Sequence, residues 1–398
     1  MITLIVFIAV LALLVLVHEA GHFFVARRAG VRVDEFGFGF PPRLFGIYRD
    51  PETKKFVVLG PRRSQKLLSH DHRADEKPEA KHAPYHEFPA TVYSINSIPL
   101  GGFVKIKGEE GQHKDDRDSF AHKKPWVRSL ILSAGVLMNV ALAAVLLSIG
   151  FMVGIPAILG DELPNGARVF NQKVEIIEVL PGGPASVAGV LIGDSVVNVN
   201  GEAVADQKEA FDRLSTASPA GDVQLDVRRG DTIQSFVITP TVITEIGRPG
   251  IGVALADTAL VRLPWYRAIP AGIIATGTFF VEILRAFGTI IVNAFRGAPV
   301  TEQLSGPVGI AVMTGQAARL GFSYLLQFTA ILSLNLALVN ILPIPALDGG
   351  RLLFVAIEKA RRGKTVPKGF ERALHAAAFA LLLFLVIIVT AKDISRLF

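Results

Sequence analysis

The sequence predicts a polytopic α-helical membrane protein, with about four transmembrane helices and one small α+β domain inserted between the second and third. Three observations predict it. The 398 residues are 51% hydrophobic and 19% charged, with a mean hydropathy of +0.44, which is more apolar surface than one soluble core needs. Four runs are long and apolar enough for the bilayer's hydrocarbon core, about 30 Å thick and requiring roughly 20 helical residues. Between the second and third run the pattern changes to short alternating strands with turn residues, the signature of half-buried sheet.

Met1 to Val17 is apolar except for Thr3 and continues through His18, Glu19 and His22 to Ala26. Ser129 to Ile155, Leu320 to Leu347 and Ala373 to Ala391 contain no acidic residue, Lys or Arg. No Lys or Arg precedes the first run and Arg27-Arg28 follow it, so it reads as a retained anchor with its N-terminus outside, not as a cleaved signal peptide. Basic residues set the orientation. Arg27, Arg28, Arg32, Lys123, Lys124 and Arg128 flank the first loop, while Arg351, Lys359, Arg361, Arg362, Lys364 and Lys368 crowd the third. Both loops are expected to be cytoplasmic, although Arg319, Lys392 and Arg396 point the other way. A further apolar stretch, Ile269 to Ala294, carries Glu282 and Arg285 at helical i,i+3 spacing and reads as an amphipathic helix on the outer surface or the protein body.

The expected organisation is an N-terminal membrane domain over 1–160, an extracytoplasmic domain over 168–243, a connecting region over 244–319 and a C-terminal membrane domain over 320–398. The inserted domain shows strands such as Val223 to Val227, an Asn200-Gly201 turn and a helix from Asp206 to Ala217. There is no cysteine, which excludes disulfides, Cys-type zinc fingers and a thiol nucleophile. The net charge of +6 comes from basic residues beside apolar spans, not from an aromatic-rich basic stripe, so the expected partner is the lipid bilayer and not nucleic acid.

The chemistry begins at His18-Glu19-Ala20-Gly21-His22. On a helix the two histidines fall one turn apart on one face with the glutamate beside them, the arrangement of zinc hydrolases. Two imidazoles and a third ligand leave one coordination position for water, and the glutamate can take that water's proton. At about 1.5 Å per residue, His18 lies roughly 25 Å along an apolar helix, where ionisable groups are costly unless they serve a function. Asp348 is the outstanding candidate for the third ligand, because it directly ends the uncharged run Leu320 to Leu347 and precedes Gly349-Gly350. With four spans His18 and Asp348 reach the same side of the membrane. A crossing by Ile269 to Ala294 would separate them.

At these residues the chain resembles the site-2 protease family, specifically its bacterial RseP-like branch, which pairs a membrane HExxH with a distant Leu-Asp-Gly motif. The resemblance covers His18 to His22, Glu35 to Pro41, Ile98 to Lys105, Ser305-Gly306-Pro307 and Asn340 through Gly350. It implies an intramembrane zinc endopeptidase with His18, His22 and Asp348 as Zn²⁺ ligands and Glu19 as general base. It implies single-span membrane proteins as substrates, such as anti-sigma factors or remnant signal peptides, and a place in the bacterial inner membrane with the active site near the cytoplasmic side. Gly37 to Pro42 and Leu100 to Val104 resemble the family's membrane-associated β-hairpin. Pro181-Gly182-Gly183-Pro184-Ala185 with Gly193-Asp194 resembles its PDZ domains, so the inserted domain is expected to be PDZ-like.

Asn340-Ile341-Leu342-Pro343-Ile344-Pro345 cannot continue a helix through two prolines. Irregular backbone at membrane depth lines a cavity or is buried in protein, and an extended segment there can pair with an unwound substrate backbone. Asn340, Pro343 and Pro345 are therefore candidate substrate-binding residues, as the resemblance also implies; the alternative is a simple helix stop. Asn139 in the second span reads as a helix-packing amide, with Gly135 permitting close approach. Arg62 to Glu87, with His70, His72, His82 and His86, reads as a solvated insertion and not a second metal loop. Two rival functions remain: a non-enzymatic membrane scaffold or metal carrier, which leaves Glu19 without a purpose, and a tethered soluble-type zinc protease, which leaves Asp348 without one.

Overall fold

The computed structural model describes residues 2–61, 88–160, 163–164, 166–217, 221–243, 247–297, 305–362 and 366–395; the expected insertion Arg62 to Glu87 lies outside them. The chain divides into two compact units, one of residues 1–143, 276–315 and 329–398 and the other of residues 144–275 and 316–328.

In the first unit α1 (Ile2–Arg28) is apolar around most of its circumference, the pattern of a helix surrounded by lipid or protein on every side. Its end is set by Gly30, whose φ of +67° lets its N–H reach the Arg27 carbonyl while the Val31 N–H bonds Ala26, a Schellman cap. The chain then enters β1 (Val33–Arg49), which pairs with β2 (Phe56–Leu59) and β3 (Val92–Ile106) in the order β2-β1-β3. The two glycine-rich segments expected as short β elements lie in β1 and β3 and face each other, Gly37 opposite Phe103 and Phe38 opposite Gly102. Phe40, Leu44, Phe45, Ile95, Ile98 and Leu100 leave this sheet with a broad exposed apolar surface.

From Pro125 the chain forms α2 (Pro125–Val153). Phe23 and Ala26 of α1, Val31, Val33, Ile106, Phe120, Ile131 and Leu132 of α2 and Val355 of a later helix form one buried apolar cluster. At about 1.5–3 kcal/mol for each fully buried large side chain, this cluster clamps the end of α1 that carries the histidines. The later helix is α8 (Asp348–Ala360).

The second unit is built on strands β4 (Ile155–Ile158), β5 (Arg168–Val179), β6 (Ser195–Val199), β7 (Glu202–Ala203), β8 (Val223–Arg229) and β9 (Thr232–Ile238), with β10 (Thr241–Ile243) and β11 (Arg248–Gly250) as a separate pair and β12 (Val253–Arg262) closing the sheet. The order is β4-β12-β5-β6-β8-β9, with β7 on β6. The sheet thus extends beyond residue 243, because β12 pairs with β5 from Val253 opposite Val179 to Arg262 opposite Arg168. Helices α3 (Pro184–Ala188) and α4 (Gln207–Ala217) accompany it. Val174, Ile176, Val199, Leu214, Val223, Leu225 and Ile238 form its core. Asp194 of the Gly-Asp pair is 2% exposed; it accepts the Leu191 N–H at 2.9 Å and pairs with Arg229 at 2.6 Å.

The remaining helices are α5 (Trp265–Phe295), α6 (Pro307–Leu320), α7 (Phe322–Ile341) and α9 (Lys368–Ser395). Among the described residues α1, α2, α5, α7 and α9 are long and apolar enough to cross a membrane by length and composition. This is a multi-pass membrane protein with an inserted α+β domain. On α5, which begins four residues before the expected stretch, Glu282 and Arg285 are exposed together with Ile273, Ile274, Leu284 and Phe295.

Candidate active site

Helix α1 places His18 and His22 one turn apart, both buried at 6% exposure. Their Nε2 atoms lie 3.3 Å from each other. Oδ2 of Asp348 lies 2.9 Å from the first and 3.2 Å from the second. The three donor groups lie within 4.8 Å of one another, and no other cluster of three such groups occurs among the described residues. Ligands at about 2.1 Å around a tetrahedral ion stand roughly 3.4 Å apart, so this donor set, two imidazoles and a carboxylate, fits Zn²⁺.

The far sides of both rings are also engaged. His22 Nδ1 donates to the Ile131 carbonyl at 2.8 Å, and His18 Nδ1 lies 3.2 Å from the side-chain amide of Asn139. Partners on Nδ1 of this kind orient a ring and leave Nε2 for the metal. The backbone at Asn139 is held in turn, since its main-chain carbonyl accepts the Ser333 hydroxyl of α7 at 2.8 Å. Gly135 makes the approach possible. A Cβ there would stand 2.4 Å from His22 Nε2 and 2.7 Å from His18 Nε2.

Asp348 opens α8, and the link before it is non-helical from Leu342 through Leu347. That link folds back over the start of α8: a Cβ on Gly349 would lie 2.1 Å from the Leu342 oxygen and one on Gly350 2.4 Å from the Ile344 oxygen. The Asp-Gly-Gly triplet is thus a carboxylate followed by two positions that must lack side chains. Asn340 stands in the last turn of α7, and Pro343 and Pro345 stand in the link. Glu19 is partly buried beside His22, His18 and Asp348, within electrostatic reach of all three and also of Glu109.

Arg351, one turn beyond Asp348, pairs with Glu109. Both line a cavity of about 580 Å³ whose walls also include Arg128, Ala346, Phe354 and His375. The sequence points to His18, Glu19, His22 and Asp348 and to Asn139 as a packing amide near the site, with a direct role as the lesser alternative; it offers Arg351 only as an orientation signal and gives no sign of Ile131, Glu109 or His375. Gly135 and Asn139 lie four residues apart, so they share a helix face, and that spacing was the available signal.

The model of peptidase family M50 matches residues 6–59 and 85–385. The chain belongs to peptidase family M50. This M50 peptidase is 32% identical to the zinc metalloprotease RasP of Geobacillus kaustophilus, over 100% of this chain and 98% of that protein. It is 31% identical to the putative zinc metalloprotease CPE1693 of Clostridium perfringens, over 96% and 95% of the two chains. It is 29% identical to the regulator of sigma-W protease RasP of Bacillus subtilis, over 100% and 99%. Among solved structures, the PDZ domain of an SdrC-like protein of Listeria monocytogenes is similar at 26% identity, covering 22% of this chain and 92% of its own, with a TM-score of 0.20. This M50 peptidase is a zinc metalloprotease of the site-2 protease type.

Proposed function

We propose that this M50 peptidase hydrolyses peptide bonds within the transmembrane segments of single-span membrane proteins, with zinc held by His18, His22 and Asp348 and Glu19 as general base. The observation that carries the reading is the convergence, at spacings suited to a tetrahedral ion, of His18 and His22 from an apolar helix with Asp348 from beyond another. When bound, the zinc polarises the scissile carbonyl and lowers the pKa of the attacking water. Glu19 takes the proton of that water and returns it to the leaving amine. The Ile131 carbonyl and the Asn139 amide hold the two imidazoles in orientation.

A helical substrate shields its peptide bonds with its own hydrogen bonds, so cleavage requires local unwinding. Asn340, Pro343 and Pro345 mark the non-helical link beside Asp348, a segment able to bond an extended substrate strand. Four crossings fit the site: His18 and Asp348 are neighbours, so α1 and α7 end on one side, and α5 then lies along the outer surface without crossing. The basic residues beside the spans support a cytoplasmic position for that side, in a bacterial inner membrane as the family suggests, with the α+β domain, PDZ-like by its Pro181 to Ala185 turn, outside. The name of the Bacillus relative, a regulator of sigma-W, supports anti-sigma factors as one substrate class, and remnant signal peptides are the other. A metal carrier has no use for Glu19.

The test compares membrane proteomes of cells with active enzyme and with Glu19→Gln. Single-span fragments are expected to accumulate in the variant. Identical fragment populations would rule the reading out.

A further inference from the structure

Asp348 is reached through the turn Ile344-Pro345-Ala346-Leu347, closed by the Leu347 N–H on the Ile344 carbonyl at 3.2 Å. Proline at the second position and a positive φ at the third are the pattern of a type II turn, where the third residue is ordinarily glycine. Here it is Ala346, with a φ of +80°. A residue with a side chain persists in that conformation only where its surroundings hold it. The backbone bonds on the α8 side, from the N–H groups of Gly350 and Arg351, both go to the Leu347 carbonyl, and the Ile344 N–H bonds Leu342 on the other side. The Ala346 N–H instead leaves the turn and donates to Nδ1 of His375 at 2.7 Å. His375 lies on α9, much of whose surface is exposed, and its ring packs on Phe354 of α8 with centroids 5.4 Å apart.

We propose that His375 is a positioning residue for the metal centre: by accepting the Ala346 N–H it holds the left-handed turn that presents the Asp348 carboxylate to His18 and His22. The proposal rests on Asp348 being a zinc ligand. It makes α9, through one imidazole, part of the support of a site to which it gives no ligand.

The test uses full-length protein purified in detergent with zinc bound, challenged with excess EDTA, with retained zinc followed by metal analysis and cleavage of a single-span substrate measured alongside. His375→Ala and His375→Phe are expected to lose zinc roughly tenfold faster than wild type. His375→Asn, whose Oδ1 can stand in for Nδ1, is expected to stay near wild type. Ala346→Gly added to His375→Ala is expected to recover most of the loss, because glycine holds a positive φ without strain. Wild-type retention in His375→Phe would show that ring packing alone matters and would overturn the proposal, as would failure of the glycine rescue or a loss in His375→Asn equal to that in His375→Ala. Asp348→Ala run in parallel is expected to be zinc-free. Zinc retained there would overturn the ligand assignment instead, so the two failures are told apart.

Discussion

Asn139 holds its side-chain amide 3.2 Å from Nδ1 of His18, on the edge of the ring away from the Nε2 that faces Asp348. Its Oδ1 is buried without a hydrogen-bond partner. An amide can present either end to that edge, and with Oδ1 toward the ring it accepts the Nδ1–H of His18. The imidazole is then fixed in the tautomer whose Nε2 lone pair is free for zinc. Replacing Asn139 by Ala is expected to weaken zinc binding about 10–100-fold, while Asn139→Asp keeps an acceptor and most of the affinity. A competitive chelator titration measures this. Unchanged affinity in Asn139→Ala would leave the residue a packing amide.

Glu19→Gln is expected to retain zinc and lose hydrolysis, since glutamine keeps the shape of the side chain but cannot take a proton. His22→Ala and Asp348→Ala are expected to lose the metal itself. Metal content and cleavage of one substrate, measured on the same preparations, separate the two classes; turnover at the wild-type rate by Glu19→Gln would remove it from the role of base.

Gly135→Ala adds one methyl group at a place where it would meet both imidazoles, 2.4 Å from Nε2 of His22. Either α2 retreats from α1 or the rings turn away, and both outcomes spoil the donor spacing. Zinc affinity is expected to fall at least about 100-fold, more than for the loss of an outer hydrogen bond. Wild-type metal content in this variant would show that α2 does not lie against the rings in the working enzyme.

In the α+β domain Asp226 accepts from Ser235 Oγ at 2.6 Å and Asn198 Nδ2 at 2.9 Å, and these bonds, that from Ser235 first, hold its carboxyl below the ordinary range. A depressed carboxyl contributes stability that is fully present above its unfolded pKa of about 3.9 and is lost as the pH falls through the lower folded value. Amides of β8 and β9, corrected for intrinsic exchange, are therefore expected to be better protected against hydrogen exchange at neutral pH than near pH 2. Ser235→Ala is expected to narrow that difference. An unaltered difference would mean that Asp226 does not contribute to it.

What could be read from the chain was what repeats along it or interrupts it. The i,i+4 spacing of His18 and His22 needs only helix geometry, and Asp348 stands out because it ends a long uncharged run. The partners of those residues were harder to see. Ile131 acts through its carbonyl, which no side chain advertises, and Asn139 acts through a register between α1 and α2 that local pattern does not contain. His375 sits in an apolar run with the ordinary look of a span, and its bond to Ala346 depends on α9 packing against Phe354 of α8. Strand β12 is hard to read locally because Val-Ala-Leu-Ala is apolar throughout and does not alternate, while its place comes from pairing with β5, far away in sequence.

His18 and Asp348 face each other across 330 positions of chain. During synthesis the histidine helix emerges 330 positions ahead of Asp348, so for that interval the two imidazoles stand without the carboxylate that faces them in the folded chain. The geometry at Nε2 of His18 is therefore completed by chain made long after the helix that carries it.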